Sequence, residues 1–144
     1  MAKRLGLFGA SIGLWRALAY AWAVPWSAFG LLAGLVACLL GASLRLREGA
    51  LEIAGGLLGR AVSRLPAPFS FSAITLGHVI LGVDHATLAA ARRHEQVHVR
   101  QYERWGIFFI PAYLLSSAYE LLRGRRPYLD NCFEREAYGK ASLE

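Results

Sequence analysis

From Leu5 to Leu44 the chain runs through forty residues with one charge, Arg16. No other feature limits the fold so strongly. A bilayer-spanning helix needs ~20 apolar residues, so the run is long enough for one or two spans. A hydrophobic fraction of 56% in 144 residues, above that of an ordinary soluble domain, points the same way. Pro25 splits the run into LGLFGASIGLWRALAYAWAV and WSAFGLLAGLVACLLGASL. Each half is close to spanning length, which favours a hairpin of two helices while leaving a single transmembrane helix open. Trp15, Trp22 and Trp26 suit the bilayer interfaces. A signal peptide cut after AWA, residues 21–23, is a competing reading of the basic start, but the apolar stretch simply continues past that point.

Basic residues set the expected orientation. Lys3 and Arg4 precede the run and Arg45, Arg47, Arg60 and Arg64 follow it, which places the rest of the chain on the cytoplasmic side of the plasma (inner) membrane. The net charge of +6 comes in clusters (Arg45 with Arg47, Arg92 with Arg93, Arg123 with Arg125 and Arg126) that flank apolar runs and do not alternate with stacking aromatics. The expected partner is the lipid bilayer, not nucleic acid. Cys38 lies in the apolar run and Cys132 in a polar turn, so no disulfide is expected, and without a CxxC pair there is no thiolate metal site.

Beyond the run, ALEIAGG and SAITLGHVILG carry Ile, Val and Thr between glycines, the pattern of strands, with SRLPAPFSFS as a loop between them. Asp84 or Thr87 can then cap a helix whose inward positions, Leu88, Ala91, His94, His98, Gln101 and Trp105, follow helical spacing. Residues 105–122, WGIFFIPAYLLSSAYELL, are a second apolar stretch. DNCFEREAYGKASLE reads as a terminal helix capped by Asp130 or Asn131. The chain thus divides into residues 1–44, a membrane-anchoring helix or hairpin, and residues 45–144, a mainly helical α+β metal-binding unit.

That unit is called metal-binding because of HEQVH, residues 94–98. Residues i and i+4 share one helix face, so His94 and His98 can aim imidazole nitrogens at one zinc ion, with Glu95 beside the open position as general base. His78 and His85 lack ligand spacing to the motif and read as strand or cap residues. Such a centre needs a third ligand. The downstream candidates are Glu103, Glu120, Asp130, Cys132, Glu134, Glu136 and Glu144. Glu136 and Lys140 make an i,i+4 pair suited to water, whereas Glu134 shares its face with Ala137, Tyr138 and Ala141. Glu134 therefore points inward, with Glu136 as the fallback. Shared ligation by His94 and Glu134 also bears on topology: residues 107–122 give about 24 Å of helix against a ~30 Å core, so the stretch is buried, re-entrant or interfacial and does not cross.

HEQVH followed by FEREAY resembles the gluzincin metallopeptidases, in which HExxH is joined by a Glu from a later helix. The pattern is similar to that of membrane-bound prenyl-protein-processing peptidases and of a group of small bacterial membrane proteins carrying HExxHVRQYERWG and a downstream FEREAY, over roughly residues 73–139. The resemblance implies a minimal zincin-like fold: a short hairpin or sheet, the HExxH helix, an apolar helix and a C-terminal ligand helix. It implies Zn2+ held by His94, His98 and Glu134. It also implies that the strand before the motif helix, ITLGHVILG, is the sheet edge along which a peptide pairs. The family commonly has Asp four residues after the glutamate ligand, supporting a ligand histidine; here Tyr138 stands there, so metal binding follows from the pattern more directly than turnover. Tyr138 and Gln101 are the candidates for supporting the ligands or donating to the transition state, with Tyr113, Tyr119 and Tyr128 as further phenols of suitable chemistry. The expectation is a membrane-associated zinc metallopeptidase acting on a peptide or membrane-protein substrate, the alternative being a non-catalytic metal-binding scaffold or interaction protein.

Overall fold

Four short strands sort their side chains into two faces, and the layers of the molecule follow from that alternation. The computed structural model describes residues 2–66 and 71–142, with side chains from residue 18 onward. β1 (Ala42–Arg47) and β2 (Ala50–Gly55) form an antiparallel hairpin with Arg47 opposite Ala50. Its two turn residues, Glu48 and Gly49, both have positive φ (49° and 81°), the backbone that a two-residue hairpin with native twist demands. After α2 (Gly56–Val62), β3 (Ala73–Leu76) and β4 (Val79–Gly82) make a second hairpin, and β4 lies parallel to β2, giving the order β1-β2-β4-β3.

Ala50, Ala54 and Ile80 point to one side of the sheet, where they meet Leu88 and Val99 of α3 (His85–Trp105). Ile53 and Val79 point to the other, where they meet Ala37 of α1 (Ala2–Leu39). The sheet is thus sandwiched between two helices. α1 approaches closely because its inner stripe is small: Ala23, Gly30, Gly34 and Ala37 are buried, and a Cβ on Gly30 would stand 2.7 Å from the Val79 Cβ and 2.9 Å from the Leu76 carbonyl oxygen. The outer side of the same helix exposes Leu31, Leu32, Leu35, Val36 and Leu39. Its stretch Leu18–Leu39, 22 residues, is long and apolar enough to cross a membrane, at about 33 Å of helix against a core of ~30 Å.

The run His85–Leu122 also passes that length and composition test, but it is not one rod. A 3-10 turn (Gly106–Phe108) breaks it into α3 and α4 (Phe109–Leu122). Trp22 packs on Gly106 and Trp26 donates its indole N–H to the Ile107 carbonyl at 3.1 Å, so both tryptophans anchor this turn to α1. From α4 the chain returns to α5 (Cys132–Ala141), capped by the Asn131 side chain, which accepts from Phe133 N at 2.9 Å. Asp84 caps α3 in the same way through Thr87 N at 2.8 Å.

Four expectations change. Residues 2–39 form a single helix with Pro25 inside it, not a hairpin; proline removes one ladder bond, and packing on both sides of it, through Ala23 and Trp26 and through Gly30, carries the helix past the gap. ITLGHVILG is not one strand but the β3–β4 hairpin, and β4, which directly precedes α3, is interior; the edge strand of this hairpin is β3, β1 forming the other edge of the sheet. The boundary drawn after residue 44 falls inside β1. Trp105 does not point inward but is 41% exposed, its ring lying edge-on across Phe133. The side chains of Lys3, Arg4, Trp15 and Arg16, part of the loop at residues 63–72, and Glu144 lie outside the described residues.

Candidate metal centre

α3 is buried almost all round in its middle, from Glu95 to Val99, because the sheet covers one side and α5 the other. Three ligand-type side chains converge where α3 and α5 meet. His94 Nε2 lies 3.0 Å from His98 Nε2 and 3.2 Å from Glu134 Oε2, and His98 Nε2 lies 3.4 Å from Glu134 Oε1. A small tetrahedral ion with bonds of ~2.0–2.1 Å has ligand-to-ligand edges of about 3.4 Å, so the spacing is that of a closed triad around one ion. Glu134 is 2% exposed, as its apolar helix face predicts. The three residues form a cluster that could hold a metal ion.

Protons tell the same story. Gln101, 1% exposed, spends its amide N–H groups on the Phe133 carbonyl (3.0 Å) and Glu136 Oε2 (2.8 Å), both acceptors. Its carbonyl oxygen therefore faces His98 Nδ1 at 2.8 Å, and Nδ1 must be the donor. A neutral His98 so arranged presents the Nε2 lone pair to a carboxylate, which is repulsive unless a cation or proton stands between. Accordingly, burial pushes the His98 imidazole down, but Glu134 beside it wins and holds it above its ordinary value. Burial likewise pushes the Glu134 carboxyl up, yet its contacts with His94, His98 and Tyr113 outweigh this and keep it well below the carboxylate range. Among the described residues, Glu134 Oε2 and His94 Nδ1 are also buried without a hydrogen-bond partner, atoms of the kind a bound ion or its shell would satisfy.

Glu95 is 6% exposed and turned toward the sheet, where the Thr75 hydroxyl of β3 donates to Oε2 at 2.6 Å. Tyr102 donates to the Thr75 carbonyl at 3.0 Å, so that acceptor of the edge strand is already used, and Ile74 is the exposed residue of β3. The edge expected to pair with a peptide is thus partly engaged by α3.

Of the four tyrosines, Tyr113 reaches the centre directly, donating to Glu134 Oε1 at 2.7 Å; burial and that carboxylate push its phenol up. Tyr138 does not bond a ligand: its ring lies 4.5 Å from that of His94, and its hydroxyl is 3.5 Å from that of Tyr128. Tyr119 contacts Arg123 and takes no part. Glu136, the fallback ligand, is held away by Lys140 (2.6 Å), Gln101 and Arg104 (3.3 Å). His78, in the β3–β4 turn, lies 3.1 Å from Glu103, and His85 bonds Ser43 at 2.7 Å; neither joins the cluster.

Thr75 was not foreseen, nor was Tyr113 as the donor to Glu134. Both act across twenty or more residues of chain, from a strand and a helix with no spacing relation to HEQVH. Comparison with protein families, with curated proteins and with solved structures finds no match to this chain, so the centre is read on its own geometry.

Proposed function

We propose that this protein is a membrane-anchored zinc peptidase whose metal is held by His94, His98 and Glu134. The observation that carries the proposal is the convergence of two imidazoles of one helix and a buried carboxylate of another at ligand-edge distances. Two nitrogens and one oxygen with a fourth position left for substrate is the donor set of a catalytic zinc site. Bound zinc would supply a Lewis acid that polarises a peptide carbonyl and brings the pKa of its water to about 7. Glu95, in HExxH order, would take the proton from that water and deliver it to the leaving amine. The Thr75 hydroxyl holds the Glu95 carboxylate in place by its hydrogen bond.

The exposed apolar side of α1 supports placement in a lipid bilayer, and the arginines after it support a cytoplasmic site at the inner membrane. Substrates would then be peptides or membrane-protein segments near that surface. A second reading, a metal-binding scaffold without turnover, is favoured by one observation: Tyr138 gives His94 no hydrogen-bond support, and His94 Nδ1 stays unpartnered.

Peptide cleavage by the full chain in detergent, with wild type beside Glu95→Gln, separates the two. The proposal expects cleavage in the wild type and a loss of at least ~100-fold in Glu95→Gln at equal zinc content. Equal zinc in both and cleavage in neither would leave the scaffold reading standing and the peptidase reading refuted.

A further inference from the structure

Gln101 touches no reacting group, yet its hydrogen bonds hold the centre from behind. We infer that Gln101 is a positioning residue of this site, fixing the tautomer of His98 and the seat of α5, and that His94 is the ligand held in place chiefly by the ion. The inference rests on the reading of His94, His98 and Glu134 as metal ligands.

The amide of Gln101 has one allowed orientation. Its two N–H groups face a carbonyl and a carboxylate, Phe133 O at 3.0 Å and Glu136 Oε2 at 2.8 Å. Glu136 is itself clamped by Lys140 at 2.6 Å and Arg104 at 3.3 Å, so it stays an acceptor. The amide oxygen is left for His98 Nδ1, which must carry the hydrogen, and Nε2 is thereby committed to the ion. Phe133 directly precedes Glu134, so the bond to its carbonyl fixes the backbone one residue from the third ligand. One buried side chain on α3 thus places a ligand on each of two helices. His94 has no counterpart among the described residues: its Nδ1 is buried without a partner, and Tyr138, one turn after Glu134, turns its ring to His94 and its hydroxyl to Tyr128. Among the imidazoles, support from the motif helix thus reaches His98 and not His94, while Glu134 is held from α4 by Tyr113.

Cobalt(II) uptake by the full chain in detergent tests this, because the visible absorption of bound cobalt reports coordination and not mere folding. Wild type should take up one equivalent with the intense bands of a four-coordinate site. Gln101→Leu, similar in size but without the three bonds, should bind 10–100-fold more weakly and with shifted bands, in line with the loss of an outer-shell partner at about that magnitude. Gln101→Glu keeps an acceptor for His98 but sets a carboxylate against Glu136, and should also bind weakly. Gln101→Glu combined with Glu136→Gln exchanges donor and acceptor at the contact with residue 136, without restoring the bond to the Phe133 carbonyl, and should move affinity and bands part of the way back toward wild type. Where Gln101→Leu fails to fold, the exchange pair decides. A folded Gln101→Leu with wild-type affinity and bands, or an exchange pair no better than Gln101→Glu, would overturn the inference while leaving the ligands standing. No uptake by wild type would instead overturn the ligand reading, and the role of Gln101 with it.

Discussion

At the scale of single residues, the cluster that could hold an ion is built from groups already oriented by their neighbours. Tyr113 donates to Glu134 Oε1 at 2.7 Å, leaving Oε2 toward His94. Tyr113→Phe should therefore keep the fold and weaken zinc binding about 10-fold, as a competition titration with a chelating dye would show. The pH dependence has a definite sign. His98 is held above its ordinary 6.5 in the protein without metal, so the stability its proton contributes is fully present below 6.5 and is lost as pH rises through the folded value. Zinc takes the place of that proton, so zinc affinity should rise over the same window in which the metal-free protein loses stability. Thermal melts with and without zinc, from acid to mildly alkaline pH, would diverge upward; parallel curves would speak against a shared site. The convergence of His94, His98 and Glu134 was legible in the sequence because helical spacing fixes which residues share a face. Thr75 and Tyr113 were not, since their contacts depend on tertiary packing.

At the scale of elements, α3 and α5 announced themselves by caps and periodicity, and the structure uses Asp84 and Asn131 for those caps. The strands were harder. ASLRLR alternates and is followed by the Glu48-Gly49 turn, but its first three residues lie inside the apolar run that ends at Leu44, which hides the strand. Gly77-His78 is a weaker turn signal, which is why β3 and β4 read as one strand. The pairing of Glu52 with Arg92 left no trace in local sequence: forty residues apart, they meet through Nε–Oε1 at 2.6 Å and Nη2–Oε2 at 3.1 Å. The Glu52 side chain is 1% exposed and Arg92 27%. Arg92→Leu should cost about 2–3 kcal/mol, below the ~3–5 of a fully buried pair because Arg92 is partly wet, and the double variant with Glu52→Leu should recover much of that loss in denaturant unfolding. Gly30→Ala should destabilise by about 1–3 kcal/mol, because its Cβ meets the Leu76 carbonyl oxygen, which cannot move without shifting the sheet.

At the scale of the molecule, α1 is both a helix of spanning length and a layer of the core. Its small stripe covers Ile53 and Val79, while its large residues face outward. Deleting residues 1–39 should therefore not release a soluble metal-binding unit but leave an apolar sheet face bare, and the truncated chain should aggregate when expressed, as light scattering would show. A monodisperse, folded truncation would mean that α1 is only a tether. The same scale explains α4: His94 precedes it and Glu134 follows it, so their meeting requires the chain to go out and come back on one side. Its 14 residues, about 21 Å of helix, fall short of a ~30 Å core. The run His85–Leu122 passes the same length and composition test as Leu18–Leu39; the shared centre tells the two apart, since α1 packs on the sheet at spanning length whereas α4 turns back. The central claim is that α3 and α5 meet around a metal, and metal analysis of the purified full chain beside Glu134→Ala tests it most directly. One equivalent of zinc in the wild type, lost in a Glu134→Ala variant with an unchanged circular dichroism spectrum, is the predicted result. Retention of that equivalent by Glu134→Ala, or its absence from a folded wild type supplied with zinc, would contradict it.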